Sequence, residues 1–507
     1  MKRIGALTTL IFTLTVFCSV FPLESANAQI NRSDLPHPVV PDYAADPSVV
    51  CFGKTYYLYS TSDIGKGLQQ MGPPVVWKST DMVNWSFSGT LIHGMQWDKP
   101  YTFDDAKGNK KTGYFRYWAP GKVLKKGNTY YLYATIVKPN GAAGTYLLLG
   151  KKPEGPFHFC NGTGVYFNEL DKVNEEAKPV APDIDGDPFV NDDGKAYLFW
   201  RKRKASILSD DWKSLTGPLV TISTTRDGYS EGPFMFKRKN IYYYLYTLSG
   251  NANYFYPYMI SNTSPLGPFV APTGPDVILS SKPKTGIWGP GHGNVIQLPG
   301  TDTWYFFYLE YGMGGTTRQV YANRMEFNAD GTIKPVQVDQ KGIASNFQAS
   351  RKKNILPIAL TASSFKTDTM IRATIDTAVA DRQPGTRTNP TDIIAVQRTV
   401  TFRPENAADG SNGTYWMAAS GDQNAWLQAD LGAIKNVRTC SLYFFKPTLG
   451  TAWKLEKSDD GKIWKTVKTE SSPKIMSPHV ATRIGRTRYL KITILSGAPG
   501  LWEIKLD

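Results

Sequence analysis

Glu231, in the stretch Tyr229-Ser230-Glu231-Gly232-Pro233-Phe234, stands eleven residues before an aromatic strand, Tyr242 to Tyr246, and four other passages of the chain share that layout. Asp46 stands ten residues before Tyr56, Ala119 eleven before Tyr130, Asp187 ten before Tyr197 and His292 twelve before Trp304. Near-equal offsets make the five positions equivalent places in a repeated unit. Carboxylates gathered from such places around one cleft suit hydrolysis of a glycosidic bond, in which a carboxyl group protonates the leaving oxygen while a carboxylate across the sugar activates water.

The elements that must position these groups follow from the repeat. A polar residue, a short apolar strand, a turn and an aromatic strand, met five times, form the inner half of a propeller blade, so the sequence predicts a five-bladed β-propeller. The inner strands begin at one end of the central channel, which brings Asp46, Asp187, Glu231 and His292 together there. In the third passage, Asp183-Ile184-Asp185-Gly186-Asp187-Pro188-Phe189, both Asp185 and Asp187 are chemical candidates, and the spacing selects Asp187. Asp192 and Asp193 belong to the hairpin turn that follows. Trp118, beside Ala119, offers either a flat face for a sugar ring or blade packing. Gly291 and Gly293 let the backbone at His292 approach something in the channel, a metal or a substrate hydroxyl, although a satisfied core histidine explains the spacing as well. Ser79 to Trp85 reads as a blade-edge turn whose tryptophan packs between sheets.

At 507 residues the chain exceeds what one core usually organises. Aromatics at 13% against 20% charged residues, with 45 Gly and 34 Pro, describe a turn-rich all-β protein and exclude disorder. The formal net charge of +15 is spread along the chain without a basic arm, which argues against nucleic acid and leaves solubility, or attraction to a pectin-like polyanion, as its use. Lys2, Arg3, the apolar run Ile4 to Val20 and Ala26-Asn27-Ala28 read as a signal peptide over 1–28, so the mature protein is expected to be exported, periplasmic or secreted. Phe17 before Cys18 is too large for a lipoprotein cleavage site. No second apolar stretch approaches the roughly 20 residues of a membrane span. Cys51, Cys160 and Cys440 remain after cleavage, an odd number to which no disulfide is assigned.

Aromatic repeats stop near residue 344. Residues 344–353 read as a linker after a propeller domain over 29–343, and residues 354–507 alternate short apolar strands with polar turns in a β-sandwich pattern. Such a module, joined by a linker or a modest interface, is expected to be dispensable for hydrolysis of small substrates.

Ala45-Asp46-Pro47, Trp118-Ala119-Pro120, Gly186-Asp187-Pro188, Glu231-Gly232-Pro233 and Gly291-His292-Gly293, in that order, resemble the landmarks of glycoside hydrolase family 43. The resemblance covers roughly Pro38 to Ile343 and implies an inverting enzyme. It makes Asp46 the general base, Glu231 the general acid and Asp187 the residue that orients the acid and raises its pKa. It also implies that His292 helps to hold a hydrated structural calcium in the channel, that Arg318 contacts substrate, and that no cofactor is required for the chemistry. Residues from about Asn354 onward are similar to discoidin-type modules, the factor V/VIII C domains and family 32 carbohydrate-binding modules, with Asp376 to Arg398 longer than that pattern requires. The implied activity is that of an exported exo-glycosidase releasing terminal α-L-arabinofuranosyl or β-D-xylosyl residues from an oligo- or polysaccharide such as arabinan, arabinoxylan or pectin side chains. A galactosidase of the same fold and a non-catalytic carbohydrate-binding protein are the alternatives.

Overall fold

Runs such as Tyr56-Tyr57-Leu58-Tyr59 and Tyr242 to Tyr246 are rich in residues that suit a pleated, buried surface, and each becomes the second strand of an antiparallel sheet. The computed structural model describes residues 35–63, 71–92, 97–160, 166–167, 177–248, 254–281, 287–311, 317–343, 354–375 and 393–507. The expected signal peptide and linker lie outside them, as does most of the long stretch Asp376 to Arg398.

Five sheets make the five blades of a β-propeller. Their inner strands are Ala44–Phe52, Arg116–Pro120, Asp187–Val190, Ser230–Arg238 and Gly291–Gln297, each hydrogen-bonded to its aromatic second strand. Side chains from adjacent blades interlock, as where Phe236 of blade 4 packs against Trp304 of blade 5 with ring centroids 5.4 Å apart. The turn at Ser79–Trp85 forms as expected, with Asp81 accepting bonds from Val83 and Asn84 and with Trp85 buried.

Blade 5 has three strands of its own, Gly291–Gln297, Trp304–Glu310 and Gln319–Met325. The Pro-rich lead-in to blade 1 fills its fourth place: the Val39 N–H donates to the Val320 carbonyl and the Ala44 N–H to the Arg318 carbonyl. Asn294 ties the same two blades on the inside, accepting from the Val49 N–H and donating to the Val49 carbonyl. The ring is thus closed by pairing the two ends of the propeller sequence.

Two long strands, Trp426–Phe444 and His479–Ser496, organise the C-terminal part. Their pairing shifts register between Asp430 and Lys435, where Gly432 takes a left-handed φ of 78°, so each strand serves first one layer and then the other of a β-sandwich. Trp416, Trp453 and Leu490 fill its core. Cys51, Cys160 and Cys440 are all free. Among the described residues no helix is long and apolar enough to cross a membrane.

The sandwich grips the strand that leads to Asp46. Tyr43 packs edge-on against Tyr415, Phe445 and Trp502 of the sandwich, at centroid distances of 6.2, 5.9 and 5.3 Å, and its hydroxyl bonds to that of Tyr415. The Ser411 hydroxyl donates to the Pro36 carbonyl, the Asn412 amide to that of Pro38, and the Gln319 amide to the Asn412 carbonyl. Residues Arg32–Asp507 form one compact unit.

Candidate active site

At the channel mouth the ladder between first and second strands breaks in the same way around the ring. Ala45 pairs with Thr61, Trp118 with Thr135, Glu231 with Thr247 and Gly291 with Leu309, while in blade 3 the Arg201 N–H donates to the Ile184 carbonyl. The next residue in each blade has a left-handed φ: Asp46 at 50°, Ala119 at 39°, Asp185 at 65°, Gly232 at 52° and His292 at 37°. Backbone of this kind is strained for residues other than glycine and turns a side chain out of the sheet toward the channel. Gly232 is required twice over, by its φ and because a Cβ there would lie 2.8 Å from the His292 ring.

This ring corrects the selection made from spacing. The blade 3 residue equivalent to Asp46 is Asp185, not Asp187. The blade 1 hairpin closes between Phe52 and Thr55, whereas that of blade 3 runs from Asn191 to Lys195 and is one residue longer. Ala196 also precedes the first aromatic of the second strand, so the count back from Tyr197 stops two residues late. In blade 4 the equivalent is Gly232, and Glu231 shares its register place with Trp118.

Asp46, Asp185, Glu231 and His292 form one cluster. Asp46 is buried; it accepts a 2.6 Å bond from the Thr61 hydroxyl, and its Oδ1 lies 3.3 Å from His292 Nδ1 and 3.5 Å from the Arg318 guanidinium. Glu231 Oε2 accepts 2.5 Å from the Tyr229 hydroxyl, and Oε1 accepts from the Tyr254 hydroxyl. Burial pushes the Glu231 pKa up and the charge of Asp185 adds to the rise; His292 and the two tyrosine hydroxyls oppose it. Asp185 is raised to about 7 by burial and by Asp46, while the Gly232 N–H, donating 3.1 Å to its Oδ2, works the other way.

Asp187 sits deeper in the channel. Its Oδ1 accepts the Lys122 N–H at 2.8 Å, its buried Oδ2 has no partner, and burial raises its pKa to about 7. It lines, with Asp185, His292 and Asn294, a cavity of about 20 Å³, room for one water or small ion. Among the described residues no three His, Cys, Asp or Glu side chains come together as metal ligands. Calcium takes six to eight oxygens, so this donor set fits a largely hydrated ion and not one caged by protein.

Arg318 is committed within the protein. Its guanidinium bonds twice to the fully buried Asp63, at 3.0 and 2.9 Å, and reaches Asp46 with its remaining nitrogen. The guanidinium thus bridges Asp63 and Asp46. Trp118 is half-buried, with the Arg116 guanidinium 5.0 Å from its ring, and keeps part of its surface at the mouth. Tyr229, Tyr254, Thr61 and Asp63 escaped sequence reading because hydroxyls at this spacing, and an aspartate at the end of a strand, carry no distinguishing pattern.

The pattern of glycosyl hydrolases family 43 matches residues 35–333, and that of the F5/8 type C domain residues 392–504. A solved glycoside hydrolase is 38% identical with a TM-score of 0.78, over 93% of this chain and 99% of its own. A β-D-galactofuranosidase of Aspergillus niger is 28% identical over 65% of this chain and 95% of its own length. An arabinoxylan arabinofuranohydrolase of Paenibacillus polymyxa is 24% identical over 98% of this chain and 76% of its own.

Proposed function

Because the chain belongs to glycosyl hydrolases family 43 and is a glycoside hydrolase, we propose that it is an exported, inverting exo-glycosidase that releases terminal α-L-arabinofuranosyl or β-D-xylosyl residues from plant cell-wall polysaccharide. The observation that carries the reading is the cluster of Asp46, Asp185 and Glu231 at one channel mouth, with Glu231 held toward its protonated form by burial and by Asp185. An inverting reaction needs a proton donor on one side of the sugar and a carboxylate with room for water on the other. Glu231 gives its proton to the leaving oxygen. Asp46, oriented by Thr61 and Arg318, takes a proton from water as the water attacks the anomeric carbon. Asp185 acts through Glu231 as the residue that tunes it, and Trp118 offers its face to the sugar ring. The division into a propeller over 29–343 and a module over 354–507 belongs to the same proposal. So does a hydrated calcium held by His292 and the spare Asp187 oxygen, which would neutralise buried negative charge; family 43 glycosidases need no cofactor for the chemistry.

The Aspergillus niger relative favours a second reading, release of β-D-galactofuranosyl residues. Aryl α-L-arabinofuranoside, β-D-xyloside and β-D-galactofuranoside assayed side by side separate the readings, and proton NMR in the first minutes tests the stereochemistry. Initial appearance of the inverted anomer is expected; the retained anomer would make one of the aspartates a nucleophile.

A pH profile tests the choice of Asp185. The acid works while protonated, so activity falls as pH rises through the Glu231 pKa, and a raised pKa extends activity to higher pH. Asp185→Asn removes the nearby negative charge, lowers that pKa and moves the alkaline limb to lower pH. Asp187→Asn should leave the limb in place.

A further inference from the structure

A crevice of about 560 Å³ separates the propeller from the sandwich, within the ~300–1,000 Å³ range of small-ligand sites. Its propeller wall is made by Tyr43 and Thr317, which lie three residues before Asp46 and directly before Arg318. Its far wall runs through Met417 and Ser420 to Gln423. A polymer whose terminal sugar lies at the channel mouth leaves across the rim, and on the side of blades 5 and 1 that rim, at Tyr43 and Gln319, meets the sandwich.

We propose that this crevice is a second saccharide subsite that holds the uncharged backbone of the polysaccharide on the leaving-group side of the scissile bond; the proposal rests on the glycosidase reading above. The walls are fixed in advance of binding. Lys366 N–H donates to the Met417 carbonyl, Phe402 N–H to that of Lys366 and Ala418 N–H to that of Pro499, and Tyr415 is held between Phe402 and Phe445 at centroid distances of 4.7 and 4.6 Å. Polar side chains and an apolar floor in one cleft match a sugar, which presents hydroxyls at its edges and C–H groups on its faces. The charges specify which sugar. Lys366 is neutralised by Asp368 at 2.7 Å, and Asp422, bonded to the Ser363 and Ser364 hydroxyls, leaves the lining with a net negative charge. A uronic-acid chain would be repelled, whereas a neutral pentose backbone would not.

Ser420 is exposed on the crevice wall, so a tryptophan there fills space without entering a core. In the full-length chain Ser420→Trp should leave kcat/KM on the aryl glycoside within about twofold and lower kcat/KM on arabinoxylan about tenfold, mostly through KM. Unchanged action on arabinoxylan, or equal losses on both substrates, would overturn the subsite. Binding of an uncharged arabinoxylo-oligosaccharide to the full-length Glu231→Gln protein, followed by calorimetry with and without Ser420→Trp, reads the crevice apart from turnover. Weaker binding in the double variant supports the subsite and equal binding rejects it, whereas failure of the parent on every aryl glycoside would reject the glycosidase reading instead.

Discussion

Glu231→Gln is expected to lower kcat on an oligosaccharide substrate about 10²–10⁴-fold while costing far less on an aryl glycoside whose leaving group needs no proton. The glutamine keeps the shape of the side chain and an acceptor for the Tyr229 or Tyr254 hydroxyl but has no acidic proton to give. Asp46→Asn should lose a similar factor on both substrates, because activation of water is needed whatever leaves. Comparing kcat for each variant on the two substrates therefore separates acid from base, which neither loss alone can do. Equal losses in Glu231→Gln would place the proton donor elsewhere, with the Tyr254 hydroxyl the nearest group.

Stopping the chain at Ile343 should lower kcat/KM on the aryl glycoside by about tenfold or more, equivalent to about 1.4 kcal/mol of transition-state stabilisation. The sequence read the C-terminal part as dispensable for small substrates, and the contacts around Tyr43 change that expectation. Removing the sandwich strips Tyr43 of its aromatic socket and frees Pro36, Pro38 and Gln319 from their partners. These residues flank Asp46 and Arg318, so the proposed base and the arginine beside it lose their support together. Tyr43→Ala in the full-length chain should act in the same direction, more weakly. Full small-substrate activity in a truncated protein with the circular dichroism of a folded propeller would reduce the contact to packing alone.

The five blades were legible because each repeats an aromatic strand and a polar lead-in, a signal that survives changes in turn length. The choice between Asp185 and Asp187 was not, because it depends on one extra residue in the Asn191–Lys195 turn and on Ala196, and linear counting absorbs both errors silently. Asp46 and Glu231 could be singled out because each is the one carboxylate in its passage, and the structure brings both to one cluster. Arg318 was located but its commitment to Asp63 was not, since a buried ion pair between residues 255 positions apart leaves no trace in local sequence. The grip of the sandwich on Tyr43 was hidden for the same reason.

Closure of the ring by Val39 and Ala44 against blade 5 also sets an order of assembly. A chain emerging from the ribosome releases the lead-in to the strand that carries Asp46 early, yet the edge of blade 5 to which Val39 and Ala44 bond, and the socket for Tyr43, come hundreds of residues later. The earliest piece made is among the last to be seated. Until blade 5 exists there is no ring, so a polypeptide that ends before Gly291 carries Asp46, Asp185 and Glu231 with nothing to gather them into one cleft.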